Sequence, residues 1–289
     1  MKPPQEKHEI RPGQSVALLQ DLHILTREGK LNQDSRRKLK QVYHLFHFIE
    51  PLLKDALAGH DDVTLVDHGA GKSYLGFLLY DLFFKAQAPQ GRILGVETRD
   101  ELVQRSQALA ARYGFAGMEF LNLSVAQASA AASLPQRIDI VTALHACDTA
   151  TDDAIAFGLA HDVQHMVLVP CCQAEVASCL RASKSKAVHN NPLVELWRHP
   201  LHTREFGSQA TNVLRCLQLE AHGYQVSVTE LVGWEHSMKN ELIIASKKQG
   251  PRRQSAERLH EMLATLGLDD LRPRFFTPLL QTPVTEATA

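Results

Sequence analysis

The stretch Val63-Thr64-Leu65-Val66-Asp67-His68-Gly69-Ala70-Gly71-Lys72-Ser73-Tyr74-Leu75-Gly76 constrains this chain more than any other. It opens with a short apolar run containing β-branched residues, the signature of a buried strand. It turns through Asp-x-Gly-x-Gly and enters an apolar segment, Tyr74 to Phe84, long enough for a helix. Two glycines at such a junction let the backbone turn tightly and let a ligand approach closely. The helix start behind them offers unpaired N–H groups and a partial positive charge. Strand, glycine turn and helix together open a nucleotide-type α/β domain. The dinucleotide fingerprint Gly-x-Gly-x-x-Gly is not met, because the third glycine is Gly76. The P-loop pattern also fails, since Val66 stands where its first glycine belongs. An ordinary strand-to-helix turn of another α/β protein stays open at this point.

The rest of the chain alternates in the manner of such a domain. Arg92 to Glu97 reads as a second strand ending in an acid, Asp100 to Tyr113 as a helix closed by Gly114, and Met118 to Leu123 as a third strand. Ile138 to Leu144 and Met166 to Val169 follow as strands. Val226 to Val232 and Glu241 to Ser246 form a last β-rich pair. Upstream, Ser15 to Leu25 predicts a short helix. Asn32 to Ser35 can cap a longer one whose apolar face is Leu39, Val42, Phe46, Ile49 and Leu53. On this pattern residues 1–58 are an N-terminal helical extension, 59–248 the main domain, and 249–289 a helix (Ala256 to Leu266) with a mobile tail.

Composition narrows the partners. The 289 residues are 44% hydrophobic and 22% charged with a formal net charge of −1, so no global field favours nucleic acid or membrane. No apolar run reaches the roughly 18 residues of a membrane span. The polar stretch Met1 to Pro12 has no signal-peptide core, and five cysteines, an odd number, fit a reduced cytoplasmic protein. Any basic surface must be local. Arg36, Arg37, Lys38 and Lys40 open the long helix; they read either as phosphate contacts or as a solvated face. Residues 181–204 hold Arg181, Lys184, Lys186, His189, Arg198, His199, His202 and Arg204 around Trp197. That segment is either a cationic lid above the strand ends, suited to nucleic acid, or a solvated insertion.

The glycine turn resembles the first motif of class I S-adenosylmethionine-dependent methyltransferases, with Ser73 where a third glycine is usual. The resemblance implies a Rossmann-like α/β fold: a seven-stranded, mostly parallel sheet with an antiparallel last strand. It implies S-adenosylmethionine as cofactor, held by Asp67, Gly69, Gly71 and Glu97, with Glu97 accepting hydrogen bonds from ribose hydroxyls. The alternative for Glu97 is a capping or surface carboxylate. Asn122 and Ser124, just past the third strand, are the candidates for adenine contact.

Three further segments sharpen the likeness: Leu144 to Asp152, Val169 to Gln173, and His236 to Asn240. With the first motif they resemble a subgroup that includes methyltransferase-like protein 25, the methyltransferase domain of the glutathione S-transferase C-terminal-domain protein and, more distantly, the tRNA 2′-O-methyltransferase Trm13. The resemblance covers residues 35 to 247 and implies methyl transfer, with RNA (tRNA or rRNA) as the leading acceptor. A protein, a small molecule or a non-catalytic scaffold remain alternatives. Asp148, Thr149 and Thr151 can cap the helix after the fourth strand. His145 and Asp148 are the candidate catalytic pair beside the acceptor. His145 serves as a possible base or as a satisfied strand-end histidine. Cys171 and Cys172 have a structural role or line the substrate pocket, or supply a thiolate nucleophile, or join Cys179 and His189 on zinc. The cysteine spacing does not suit a metal site, and none is predicted.

Overall fold

The computed structural model describes residues 10–26, 28–124, 127, 134–144, 146, 148–170, 173–187, 191–231, 241–248 and 250–280. Its centre is a seven-stranded sheet: β1 (Thr64–His68), β2 (Arg92–Glu97), β3 (Met118–Asn122), β4 (Ile140–Ala143), β5 (His165–Leu168), β6 (Tyr224–Glu230) and β7 (Glu241–Lys247). The spatial order is β3-β2-β1-β4-β5-β7-β6. All pairings are parallel except those of β7, which runs antiparallel to both β5 and β6. The chain leaves β1 towards one edge, through β2 and β3, and returns beside β1 as β4. The resulting crevice outside the carboxyl ends of β1 and β4 is where open α/β sheets bind ligands.

Burial on both faces explains why the strands read as unbroken apolar runs. Leu65, Ile93 and Ile140 face one core; Val66, Leu94 and Val141 face the other, with the period of two a strand imposes. On the first face lie α1 (Val16–Asp21), α2 (Gln33–Leu57) and α3 (Tyr74–Leu79), with α4 (Asp100–Tyr113) beside them. The N-terminal helices share one hydrophobic core with β1 and α3 through Leu18, Leu39, Ile49 and Leu53. The apolar segment expected as one helix from Tyr74 to Phe84 changes register: α3 passes into a π-helical turn, Tyr80–Phe84, and one last α turn, Lys85–Gln87. On the second face lie α5 (Thr149–Ala160) and the end of α7 (Pro200–Ala221).

Two hydrogen bonds fix the direction of α2 across the sheet. Asp55, near its end, accepts from Gln164 at the start of β5, while His44 lies 3.4 Å from the Glu230 carbonyl at the end of β6. Residues 33–40 therefore continue beyond the edge at which the glycine turn sits. At 1.5 Å per residue, Arg37 lies about 10 Å further along the helix axis than His44.

Two expectations change. Residues 181–204 are not an open lid. They comprise the end of α6 (Glu175–Ala187), a 3₁₀ helix (Pro192–Trp197) and the start of α7, apart from 188–190, which lie outside the described residues. Trp197 is fully buried in a third core with Leu180, Leu214 and Leu259, so it offers no stacking face. The C-terminal region holds two helices, α8 (Arg253–Thr265) and α9 (Arg272–Leu280). The second was hidden by its prolines, yet Pro273 sits in the first turn, where a missing N–H costs nothing, and Phe275 is buried.

Candidate cofactor and acceptor site

The turn after β1 takes its shape from three successive left-handed positions. Gly69 and Gly71 have φ of 65° and 58°, as glycine permits, and Ser73 is forced to 50°. The Ser73 side chain is fully buried, and its Oγ stands 2.6 Å from where a Cβ on Gly76 would lie. It takes space beside Gly76 of α3. A Cβ on Gly71 would meet nothing nearer than 3.9 Å, which leaves that face of the turn open to an approaching group.

Glu97 closes the turn from β2. Its Oε2 accepts from the Gly71 N–H at 2.9 Å and from Arg99 Nη2 at 3.2 Å; its Oε1 accepts from the Arg99 N–H and Nε, both at 3.0 Å. Burial would raise its pKa, but the Arg99 side chain, with the two backbone N–H groups, outweighs burial and holds it down at about 2. The carboxylate is thus ionised, beside the glycine turn at the end of β2. All its lone-pair directions are already occupied. Arg99 is 62% exposed in its side chain and free to swing outward, so a diol can replace it without disturbing Gly71. The open turn and an ionised acid at the end of β2 fit S-adenosylmethionine.

Asp67 lies deeper. It is buried, and Thr142 of β4 donates to its Oδ1 at 2.6 Å. Burial pushes its pKa up to about 7 against the Thr142 hydrogen bond. It joins β1 to β4 beneath the turn. Asn122, exposed at the end of β3 in register with Glu97, donates to Asp100 Oδ1 at 3.0 Å. Ser124 caps the next turn, its Oγ accepting from the Gln127 N–H.

His145 and Cys147 lie outside the described residues, as do Cys171, Cys172, His189 and 232–240. Asp148 is described and strained, with φ of 52°. It does not cap its own helix α5, as the sequence suggested. Its Oδ1 accepts instead from the Ala174 and Glu175 N–H groups at 2.8 and 3.3 Å, capping α6 after β5. Beneath it Arg215 of α7, fully buried, forms a two-pronged pair with Asp152 at 2.7 and 2.8 Å. Arg99, Thr142, Asn212 and Arg215 were not found from sequence. Arg215 had one signal: it falls at helical spacing on the same face as Thr211 and Leu219, among residues that are buried. Among the described residues no group of His, Cys, Asp and Glu is arranged to hold a metal, and no helix is long and apolar enough to cross a membrane.

Residues 37–179 match the family model described as a methyltransferase domain. No curated protein matches the chain. Similar solved structures include an rRNA methylase from Streptococcus thermophilus, 10% identical, covering 71% of this chain and 96% of that one with a TM-score of 0.44. A second is Aeropyrum pernix fibrillarin with natively bound S-adenosyl-L-methionine (13% identical, 63% and 66% covered, TM-score 0.39). A third is an SAH-bound methyltransferase from Podospora anserina (8% identical, 81% and 87% covered, TM-score 0.45). The matched segment runs from α2 through the glycine turn to the start of α6, and it is similar to a methyltransferase domain.

Proposed function

We propose that the chain transfers the methyl group of S-adenosylmethionine to a nucleophilic oxygen or nitrogen of an RNA. The observation that carries the acceptor is the position of Arg36, Arg37, Lys38 and Lys40. They stand on the part of α2 that continues past the glycine-turn edge of the sheet, and all but the half-buried Lys38 are exposed. Lys38 Nζ donates to the His23 carbonyl, and His23 shares a small cavity with Lys72 of the glycine turn and Arg105 of α4. Cations on three elements thus border the cofactor side of the crevice, suited to a phosphate backbone passing over it. The second basic segment supports RNA less, since Glu195 and Glu205 pair with Arg198 and Arg204. The resemblance to the subgroup containing a tRNA methyltransferase points the same way.

When bound, the cofactor supplies an electrophilic methyl on a sulfonium. The protein's task is then alignment of the acceptor, with a base where the acceptor carries a proton. Glu97 and the backbone at Gly69 and Gly71 are assigned to the cofactor, and Asp67 to the framing of the turn from below. His145 is assigned to the acceptor proton, and Asp148 to the placing of the acceptor loop. The test is methyl transfer from labelled cofactor to cellular RNA at increasing salt, for the native chain and for R36E/R37E/K38E. The triple variant is expected to raise KM for RNA and to leave cofactor binding unchanged. Its logarithmic salt slope should flatten by about 0.7 for each phosphate of a single strand that the variant no longer neutralises. Label appearing only in protein or small molecules, or an RNA KM indifferent to charge reversal, overturns the RNA reading. Absence of any transfer by cofactor-bound protein favours a scaffold.

A further inference from the structure

Residues that belong to or directly follow three segments that the sequence singles out meet at two neighbouring buried side chains of α7, Asn212 and Arg215. The segment after β4 ends at Asp148, whose carbonyl accepts from Arg215 Nη2 at 2.8 Å. The segment after β5 reaches Gln173, whose Nε2 donates to Asn212 Oδ1 at 3.1 Å; that same oxygen accepts from Arg215 Nη1 at 3.2 Å. The connection between β6 and β7 ends at Glu241, which accepts from Asn212 Nδ2 at 2.6 Å. Asp152 holds the guanidinium by two parallel bonds. Asp148 Oδ1 in turn holds the first N–H groups of α6.

We propose that Arg215, with Asn212 one turn before it, is the positioning residue of the methyl-acceptor pocket. It keeps the segments that follow β4 and β5 and the start of the antiparallel β7 in one mutual geometry. This rests on the methyltransferase reading and on the acceptor lying opposite Glu97 in the crevice. The argument is one of chemistry. If the pair only joined α5 to α7, well-packed apolar side chains would do so as well, because desolvating two charges offsets most of their attraction. A planar fork of five donors does what an apolar pair cannot: it binds Asp152, a backbone carbonyl and a side-chain amide at fixed angles. Asp148 supplies the complementary sign of constraint. A non-glycine residue at φ 52° persists only where its surroundings over-determine it, and here both its carbonyl and its carboxylate are held.

Two variants test this. R215M/D152L replaces the pair by apolar groups, and R215K keeps the charge but loses the fork. Both are expected to fold, to bind S-adenosylmethionine within threefold of the native chain, and to lower kcat for the acceptor at least tenfold with KM for the cofactor unchanged. Amide exchange at Ala174 and Glu175 is expected to speed up at least tenfold in both. The exchange readout does not depend on the acceptor, so failure of the RNA reading leaves it intact as a test. Native exchange rates or a native kcat in folded R215K overturn the proposal. So does the failure of both variants to fold, which would make the network a folding element.

Discussion

Asp67 and His68 are adjacent, buried on opposite faces of β1, and displaced in opposite directions on the pH scale. The native Asp67 carboxyl keeps its proton up to about pH 7, while an unfolded aspartate releases it near 3.8. As pH falls from 7 to 3.8 the native state binds the extra proton, so Asp67 adds stability at about 1.4 kcal/mol per pH unit, about 4 kcal/mol in all. His68 packs edge-on against Phe157, and burial first, then the neighbouring His161, lowers its pKa to about 3 from 6.5. The unfolded chain is the one that takes up this proton, so His68 removes stability as pH falls from 6.5 towards 3, by about 5 kcal/mol. Between pH 6.5 and 3.8 the two slopes oppose and nearly cancel. Asp67→Asn uncovers the histidine: urea unfolding from pH 8 to pH 4 should show the variant losing about 4 kcal/mol relative to the native chain. His68→Phe should gain relative to it over the same range. His161, His165 and His222 are also lowered by burial, but they act in both curves and leave the Asp67→Asn difference unchanged. A difference that stays flat within about 1 kcal/mol would mean that Asp67 is ionised in the folded protein. The account of the turn as framed by a protonated acid would then fail.

Other perturbations read the site directly. Arg99→Ala frees the lone pairs of Glu97 from an exposed, solvent-screened partner, and calorimetric titration should show S-adenosylmethionine binding three- to tenfold tighter, about 1 kcal/mol. Weaker binding would mean that Arg99 holds the cofactor itself. Glu97→Gln should weaken binding by about 10- to 100-fold, the value of a charged hydrogen-bond pair. Ser73→Gly should stabilise the chain by about 1 kcal/mol in urea unfolding, since it removes left-handed strain and a buried hydroxyl without a hydrogen-bond partner. Gly76→Ala should cost about 1–3 kcal/mol by pressing on that hydroxyl, and Ser73→Gly should recover part of the loss; simple additivity would refute the contact.

Much of the fold could be read along the chain because local chemistry specified it. The strands of the sheet centre are short apolar runs, and Gly114 closes α4 in the left-handed conformation only glycine adopts freely. Asn32 caps α2 through its side chain, and the Leu39–Leu53 stripe lies inside as its spacing requires. Gly69, Gly71 and Glu97 could be picked out because a turn and a strand-end acid are short-range features. Residues 181–204 misled because charge density records composition but not direction, and the burial of Trp197 depends on α7 and α8. The pairing of Asp148 with the start of α6, the Asp67–Thr142 bond between neighbouring strands, and the meeting of Asp148, Gln173 and Glu241 at Asn212 and Arg215 involve partners far apart in sequence. They exist only once the sheet has brought β1, β4, β5 and β7 together. The sequence by itself determined the strand–turn–helix unit and its acid. Tertiary structure decided what those groups touch, because hydrogen bonds and burial are properties of neighbours in space.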